Sequence, residues 1–185
     1  MRWIKLILIL LVCFTALHAM QTGIKVGYNV SGIIPVQEEY TNMPGFRIGG
    51  ISQLPVNPFH FQCEFLLSSK GFMSKSVGDT RLTNLFLYLQ LPLSLKYELP
   101  LSDSWNLYAL GGCYASLKII AINLVSEIDG VRGLDAGLHL GGGIRFRKID
   151  IEARYEQSIL NFDLIEPQKF HCSFSAGMNF YFKEK

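Results

Sequence analysis

Large apolar residues occupy every second position of one long stretch in the middle of the chain. Between Asn84 and Leu99, the sequence NLFLYLQLPLSLKYEL alternates seven leucines and Tyr97 with a second set that includes Gln, Ser, Lys and Glu. Period-two alternation puts the two sets on opposite faces of a β-strand, whereas an α-helix would spread the leucines around its circumference. A strand in a soluble protein has about 5–6 residues, and a strand tilted across a membrane about 9–11. The pattern therefore predicts a long strand with one apolar face and one polar face.

Seven other segments show the same alternation, which gives eight predicted strands. Their boundaries are Thr22–Ile33, Gly45–Leu54, Phe59–Gly71, Asn84–Leu99, Trp105–Ile119, Gly133–Phe146, Ile149–Leu160 and Lys169–Phe182. Tight turns are predicted at Pro55–Pro58, Pro100–Ser104 and Arg147–Lys148, and longer polar loops at the alternate connections. Alternating short turns and longer loops are typical of an outer-membrane barrel, whereas a Greek-key sandwich mixes hairpins with crossing connections.

The predicted fold is all-β, an eight-stranded antiparallel up-and-down transmembrane β-barrel. The leucine-rich faces would contact lipid, and the polar faces would line the lumen. Aromatic residues near the strand ends fit the interfacial girdles of such a barrel. They are Tyr28, Phe46, Phe59, Trp105, Tyr155, Phe180 and Phe182. The alternative is a soluble secreted ligand-binding β-barrel or sandwich, in which the leucine face would be internal.

The amino terminus predicts export. Arg2 and Lys5 precede an apolar run, Leu6–Leu17, and Ala19 offers a small residue at a cleavage site. This is the pattern of a secretory signal peptide, and the run is too short to span a membrane as a helix. The sequence thus divides into a signal peptide, residues 1–19, and a barrel domain, residues 20–185. The predicted location is the bacterial outer membrane.

Composition excludes several classes of function. The formal charge of +2 is small and dispersed along the chain, so no nucleic-acid partner is expected. Three cysteines follow the signal, and an odd count does not make a disulfide framework. Cys63 and Cys172 fall on the lipid-facing phase and are expected to act as small apolar residues.

A polar network is predicted inside the lumen. Its expected members are Lys25, Arg47, Glu64, Gln90, Lys96, Asp135, Arg145, Glu152 and Arg154, with Gln53, Lys70, Glu98 and Glu156 on the same faces. An eight-stranded barrel has an interior only wide enough for its own side chains. We therefore expect the acids and bases to pair and fill the lumen. A narrow porin-like channel is the alternative.

No chemistry beyond this network is predicted. His60, His139 and His171 fall at different depths of their strands, so they do not converge on one ion. The sequence has no nucleophile, base and orienting group in a recognisable arrangement, so no enzyme activity, metal or cofactor is expected.

One predicted loop is unusually apolar. It covers about Ile120 to Arg132 and exposes Ile120, Ile122, Leu124 and Val125. Two interpretations are open: the fifth strand extends above the membrane, or these residues form an interaction surface for a partner protein or a lipid headgroup.

The chain resembles the PorT-like, OmpA-type small outer-membrane β-barrel (porin-family) proteins of Bacteroidetes. The similar segments are GIKVGYNVSGI, PGFRIGG, FQCEFLLSSKGF, LYLQLPLSLKYEL, LYALGGCYASL, LDAGLHLGGGI, IEARYEQSILNF and GMNFYF. The resemblance implies the fold and no catalytic residues, because the same barrel serves many purposes. Some relatives support the secretion of adhesins and proteases. We therefore expect a structural or interaction role in the cell envelope that assists secretion or adhesion. The expected partners are outer-membrane lipid and, through the outer loops, envelope or secretion-system proteins.

Overall fold

The structure is a computed structural model that describes residues 20–34, 40–75, 81–123, 133–161 and 170–182. Its strands are β1 (Gln21–Ile34), β2 (Tyr40–Val56), β3 (Phe59–Lys75), β4 (Arg81–Pro100), β5 (Trp105–Asn123), β6 (Leu134–Phe146), β7 (Ile149–Asn161) and β8 (Phe170–Tyr181). Each strand pairs antiparallel with its neighbours in sequence, and β1 pairs with β8 to close the barrel. The predicted fold class is confirmed. Among the described residues, no helix is long and apolar enough to cross a membrane.

The two ends of the barrel differ. Short connections at residues 57–58, 101–104 and 147–148 lie at one end, here called the turn end, together with the start of β1 and the end of β8. The other connections lie at the opposite end, here called the loop end. Arg147 in the tightest turn has φ of 51°, a left-handed conformation that non-glycine residues adopt at a cost.

The strand alternation predicted for β4 is present in the structure. Leu91, Leu93 and Leu95 point outward and are 40–49% exposed. Gln90 and Lys96 point inward and are fully buried. Because the same alternation holds around the barrel, the protein turns a large apolar surface outward and keeps its polar groups inside.

Several strands extend further toward the loop end than predicted. β2 begins at Tyr40 rather than Gly45, β3 ends at Lys75 rather than Gly71, and β5 ends at Asn123 rather than Ile119. The backbone ladder continues there, with Tyr40 opposite Ser74 and Lys75 opposite Arg81. The polar segments predicted as loops are therefore partly strand, because pairing satisfies the backbone whatever the polarity of the side chains.

The ladder between β2 and β3 is interrupted on the loop side of Arg47. Side chains replace the missing backbone bonds there. The Ser69 hydroxyl accepts a hydrogen bond from the Phe46 amide at 2.8 Å, and the Ser31 hydroxyl accepts one from the Gly71 amide at 2.8 Å. The Asn29 amide nitrogen donates to the Ser69 carbonyl at 2.9 Å. Residues of β1 thus seal the wall where Pro44 and Gly45 break the regular pairing.

Candidate functional site

The lumen is the densest polar region of the described structure. Twelve charged side chains point into it, each at most 11% exposed. The six cations are Lys25, Arg47, Lys70, Lys96, Arg145 and Arg154, and the six anions are Glu64, Glu98, Asp135, Asp150, Glu152 and Glu156. They fall into three tiers along the barrel axis, each with two cations and two anions. Buried charges require such pairing, because an isolated ion in a low-dielectric interior is very costly.

The inner tier, nearest the turn end, contains Lys96, Glu98, Arg145 and Asp150. Asp150 accepts from Lys96 Nζ at 2.6 Å and from Arg145 Nε at 2.6 Å. Arg145 Nη1 also lies 2.7 Å from a Glu98 oxygen. The Tyr181 hydroxyl donates to Asp150 at 3.1 Å. These contacts join β4, β6, β7 and β8 across the inner lumen.

The middle tier contains Lys25, Glu64, Glu152 and Arg154. Lys25 Nζ lies 2.6 Å from Glu152 and 3.2 Å from Glu64. Arg154 Nη2 lies 2.6 Å from Glu64 and 2.8 Å from Glu152. Each cation therefore contacts both anions, and the four groups form a closed ring across the narrowest interior of the barrel.

The outer tier contains Arg47, Lys70, Asp135 and Glu156. Arg47 donates to both Glu156 oxygens, at 2.8 and 3.0 Å, a bidentate geometry that favours guanidinium over ammonium. Lys70 Nζ lies 3.4 Å from Asp135 and 3.8 Å from Glu156. Gln90 donates to Glu156 at 3.0 Å. The Glu156 carboxylate is thus the centre of this tier.

Strand β7 supplies a member of every tier. Glu152 contacts Lys25 on β1, Glu156 contacts Arg47 on β2, Arg154 contacts Glu64 on β3, and Asp150 contacts Lys96 on β4. The inward residues of this strand thus contact four other strands in turn. Because a one-residue slip would turn every inward charge outward, these contacts specify the register of β7.

Aromatic residues complete the filling of the lumen. Lys96 Nζ lies 3.6 Å from the centre of the Tyr108 ring, and Lys70 Nζ lies 4.6 Å from that of Tyr114, within the range of cation–π attraction. Beyond the outer tier, at the loop end, four buried residues form an apolar cluster. They are Ile33, Phe72, Phe86 and Tyr88. The lumen is therefore occupied by charges along its length and by aromatic and aliphatic side chains at its outer mouth.

All nine predicted network residues lie in this lumen and belong to its tiers or contact them. Sequence reasoning did not include Asp150, although it follows the same phase as Glu152 and Arg154. Nor did it identify Tyr108 and Tyr114 as lumen residues, because the facing of the fifth strand was the least certain of the eight. Small outward residues on that strand hid its phase.

The predicted apolar loop requires a correction. Ile120 and Ile122 belong to β5, which continues to Asn123, so they lie in a strand rather than a loop. Ile120 faces outward and is 49% exposed. Leu124 and Val125 lie outside the described residues, as do residues 1–19 and the predicted cleavage site.

The histidines and cysteines are dispersed. His60, His139 and His171 are buried on three different strands, and His139 Nε2 lies 2.8 Å from the Ser94 hydroxyl. Within the described part of the chain, the cysteines are free, and no His, Cys, Asp and Glu group has the arrangement of a metal site. Cys63 and Cys172 are half-buried on the outward face, and Cys113 is exposed there.

Comparison with known proteins supports the architecture. The family model for the outer membrane protein beta-barrel domain matches residues 15–164. No curated protein sequence matches the chain.

Solved structures of small barrels are similar. The structure of Neisserial surface protein A is 12% identical, with 87% of this chain and 97% of that chain covered and a TM-score of 0.52. Ail, the attachment invasion locus protein of Yersinia pestis, solved with the heparin analogue sucrose octasulfate, is 21% identical, with 88% and 99% covered and a TM-score of 0.49. The N-terminal barrel domain of Pseudomonas aeruginosa OprF is 13% identical, with 84% and 97% covered and a TM-score of 0.36.

Proposed function

Because the chain belongs to the outer membrane protein beta-barrel domain family, we propose that it is a closed outer-membrane scaffold with a structural or interaction role in the cell envelope. The single observation that carries this proposal is the filling of the lumen by three charge-neutral tiers. An ion crossing such a lumen would have to displace paired charges in succession. The proposal assigns the protein no catalysis and no cofactor.

The proposal favours contact over conduction. A rigid barrel that lacks a water-filled path presents its loop end as the surface on which binding residues are disposed. The finer role that we propose is assistance of secretion or adhesion, through envelope or secretion-system proteins that contact the loop end. Support for this comes from the resemblance to PorT-like proteins of Bacteroidetes and from the exported, signal-peptide-like amino terminus.

Planar bilayer recording tests the closed lumen. The expected result for the unmodified protein is the absence of discrete conductance steps. The matched variant replaces Glu64 and Arg154 by alanine, which removes one cation and one anion from the middle tier without changing its net charge. We expect this variant to produce steps, which would demonstrate that the assay detects an opened lumen. Discrete steps from the unmodified protein would contradict the proposal and favour a narrow channel.

Photo-crosslinking in cells tests the interaction role. A photoreactive residue at Thr41, exposed on β2 at the loop end, is compared with one at Asn57, exposed at the turn end. We expect a discrete crosslinked envelope protein from position 41 that is absent from position 57. An identical pattern from both positions would contradict a loop-end partner.

A further inference from the structure

The lipid-facing surface is not equally tall around the barrel. Aromatic pairs mark its lower edge near the turn end, with the rings of Phe59 and Tyr97 5.5 Å apart and those of Trp105 and Phe146 4.6 Å apart. On β8, the outward apolar residues run from Phe180 to Phe170. A strand tilted by about 40° advances roughly 2.5 Å along the barrel axis per residue, so this surface is about 25 Å tall. That height matches the apolar band of about 25 Å expected of an outer-membrane barrel.

The surface is taller on β5. Its outward residues are apolar from Trp105 to Ile120, and one of the intervening positions is absorbed by a bulge where Ile120 pairs with Leu87 but Lys118 pairs with Tyr88. The same rise per residue gives a height of about 35 Å, roughly 10 Å more than on β8. On β4, outward leucines accompany this surface without a polar interruption.

The additional height forms a distinct surface, here called the outer apolar patch. It consists of Leu85, Leu87, Leu117, Ile119 and Ile120. Leu117, Ile119 and Ile120 are 52%, 50% and 49% exposed, while Leu85 and Leu87 are half-buried. Contiguous exposed apolar surface above a membrane boundary is unfavourable in water.

We propose that lipid acyl chains cover the outer apolar patch, so that the hydrocarbon layer is thicker beside β4 and β5 than beside β8. The occupant is lipid because the patch continues the lipid-facing wall directly. Leu89 and Leu91 connect it to the membrane-embedded leucines of β4, with no outward charge between them. A bilayer accommodates such a mismatch by local thickening at modest cost. The inference rests on membrane embedding and not on the role proposed for the loop end.

Tryptophan fluorescence tests this proposal. The chain contains Trp3 and Trp105, so a background with W3F and W105F is free of tryptophan. I120W places a probe in the patch, and L117W is a second position if I120W does not fold. L91W is the matched control in the middle of the wall, and L101W is the control at the turn end, where Leu101 is 65% exposed. Folding of each variant is verified by its heat-modifiable gel mobility.

The variants are reconstituted in dioleoyl phosphatidylcholine vesicles and quenched by doxyl-labelled lipid or by aqueous iodide. We expect lipid quenching and a blue-shifted emission at position 120 comparable to those at 91, and iodide quenching several-fold weaker than at 101. In thinner dilauroyl phosphatidylcholine vesicles, position 120 should gain iodide quenching while 91 does not. Strong iodide quenching at 120 in dioleoyl vesicles would overturn the proposal, because the patch would lie in water. Quenching by neither reagent would also overturn it, because protein would cover the patch. Neither result would affect the conductance test of the closed lumen.

Discussion

Removing the charge of Glu156 should destabilise the barrel strongly. Its carboxylate accepts two hydrogen bonds from Arg47, one from Gln90, and lies 3.8 Å from Lys70. In E156Q, the outer tier would retain two cations and only Asp135 as an anion. Breaking a buried ion pair by removing one partner typically costs about 3–5 kcal/mol, because the other charge remains buried without compensation. We expect a loss of unfolding free energy in this range.

Removing the pair together should cost much less. The double variant R47M/E156L leaves Lys70 and Asp135, whose charged atoms lie 3.4 Å apart, so the tier stays neutral. Replacing a buried ion pair by apolar residues of similar volume is often neutral or stabilising. We therefore expect the double variant to be more stable than either R47M or E156L alone, with a coupling energy of about 2 kcal/mol or more.

Urea unfolding from detergent micelles measures these free energies, with Trp105 fluorescence and heat-modifiable gel mobility as independent probes. The control is D103N, because Asp103 lies exposed in the turn at residues 101–104 and its change should alter stability by less than about 0.5 kcal/mol. The reasoning would be refuted if E156Q unfolded within about 1 kcal/mol of the unmodified protein. It would also be refuted if the effects of R47M and E156L were additive.

Three other substitutions test separate parts of the structure. L91R places a charge on the lipid face, which costs roughly 2–4 kcal/mol at mid-membrane, so its yield in outer-membrane fractions should fall while that of L91F does not; equal yields would contradict the facing of β4. G143A brings a methyl group against the Ile151 carbonyl and the Tyr108 hydroxyl and should cost about 1–3 kcal/mol in urea unfolding. G50A meets no atom within 4 Å and is its control; equal stability of the two variants would contradict the close packing of β6. R147G relieves the left-handed residue in the turn after β6 and should stabilise the fold by about 0.5–1 kcal/mol; a lower urea midpoint would show that the Arg147 guanidinium, 5.4 Å from the Phe146 ring, matters more.

Alternation along the sequence was sufficient to predict the eight strands and the facing of most of them. The phase of Lys25, Arg47 and Arg154 follows directly from neighbouring apolar residues, since a period of two admits only one assignment once one face is apolar. The predicted turns also hold, because Pro, Asn, Asp and Ser restrict the backbone there.

The strand ends and the facing of β5 were harder to predict. Above the membrane, a paired strand needs no apolar face, so Tyr40–Asn42 and Phe72–Lys75 have the composition of loops while forming ladder. On β5, Ala109 and Gly111 face outward while Tyr108 faces inward. Such a strand reverses the usual relation between size and facing. The structure explains why: a Cβ at Gly143 would lie 2.7 Å from the Tyr108 hydroxyl, so the glycine leaves room for the ring.

The pairing of particular charges was beyond sequence reasoning. Lys25 and Glu152 are 127 residues apart, and Arg154 and Glu64 are 90 apart. Which inward acid meets which base depends on the stagger between strands around the closed barrel, which alternation alone does not determine.

Cell fractionation combined with gel mobility tests the central claim most directly. The claim is that the chain folds as a closed barrel in the outer membrane. The account predicts that the protein is recovered in the outer-membrane fraction, requires detergent for release, and migrates differently in boiled and unboiled samples. Recovery as a soluble periplasmic protein without detergent, with no heat-dependent shift, would contradict the account, because the leucine wall of β4 would then have to be internal.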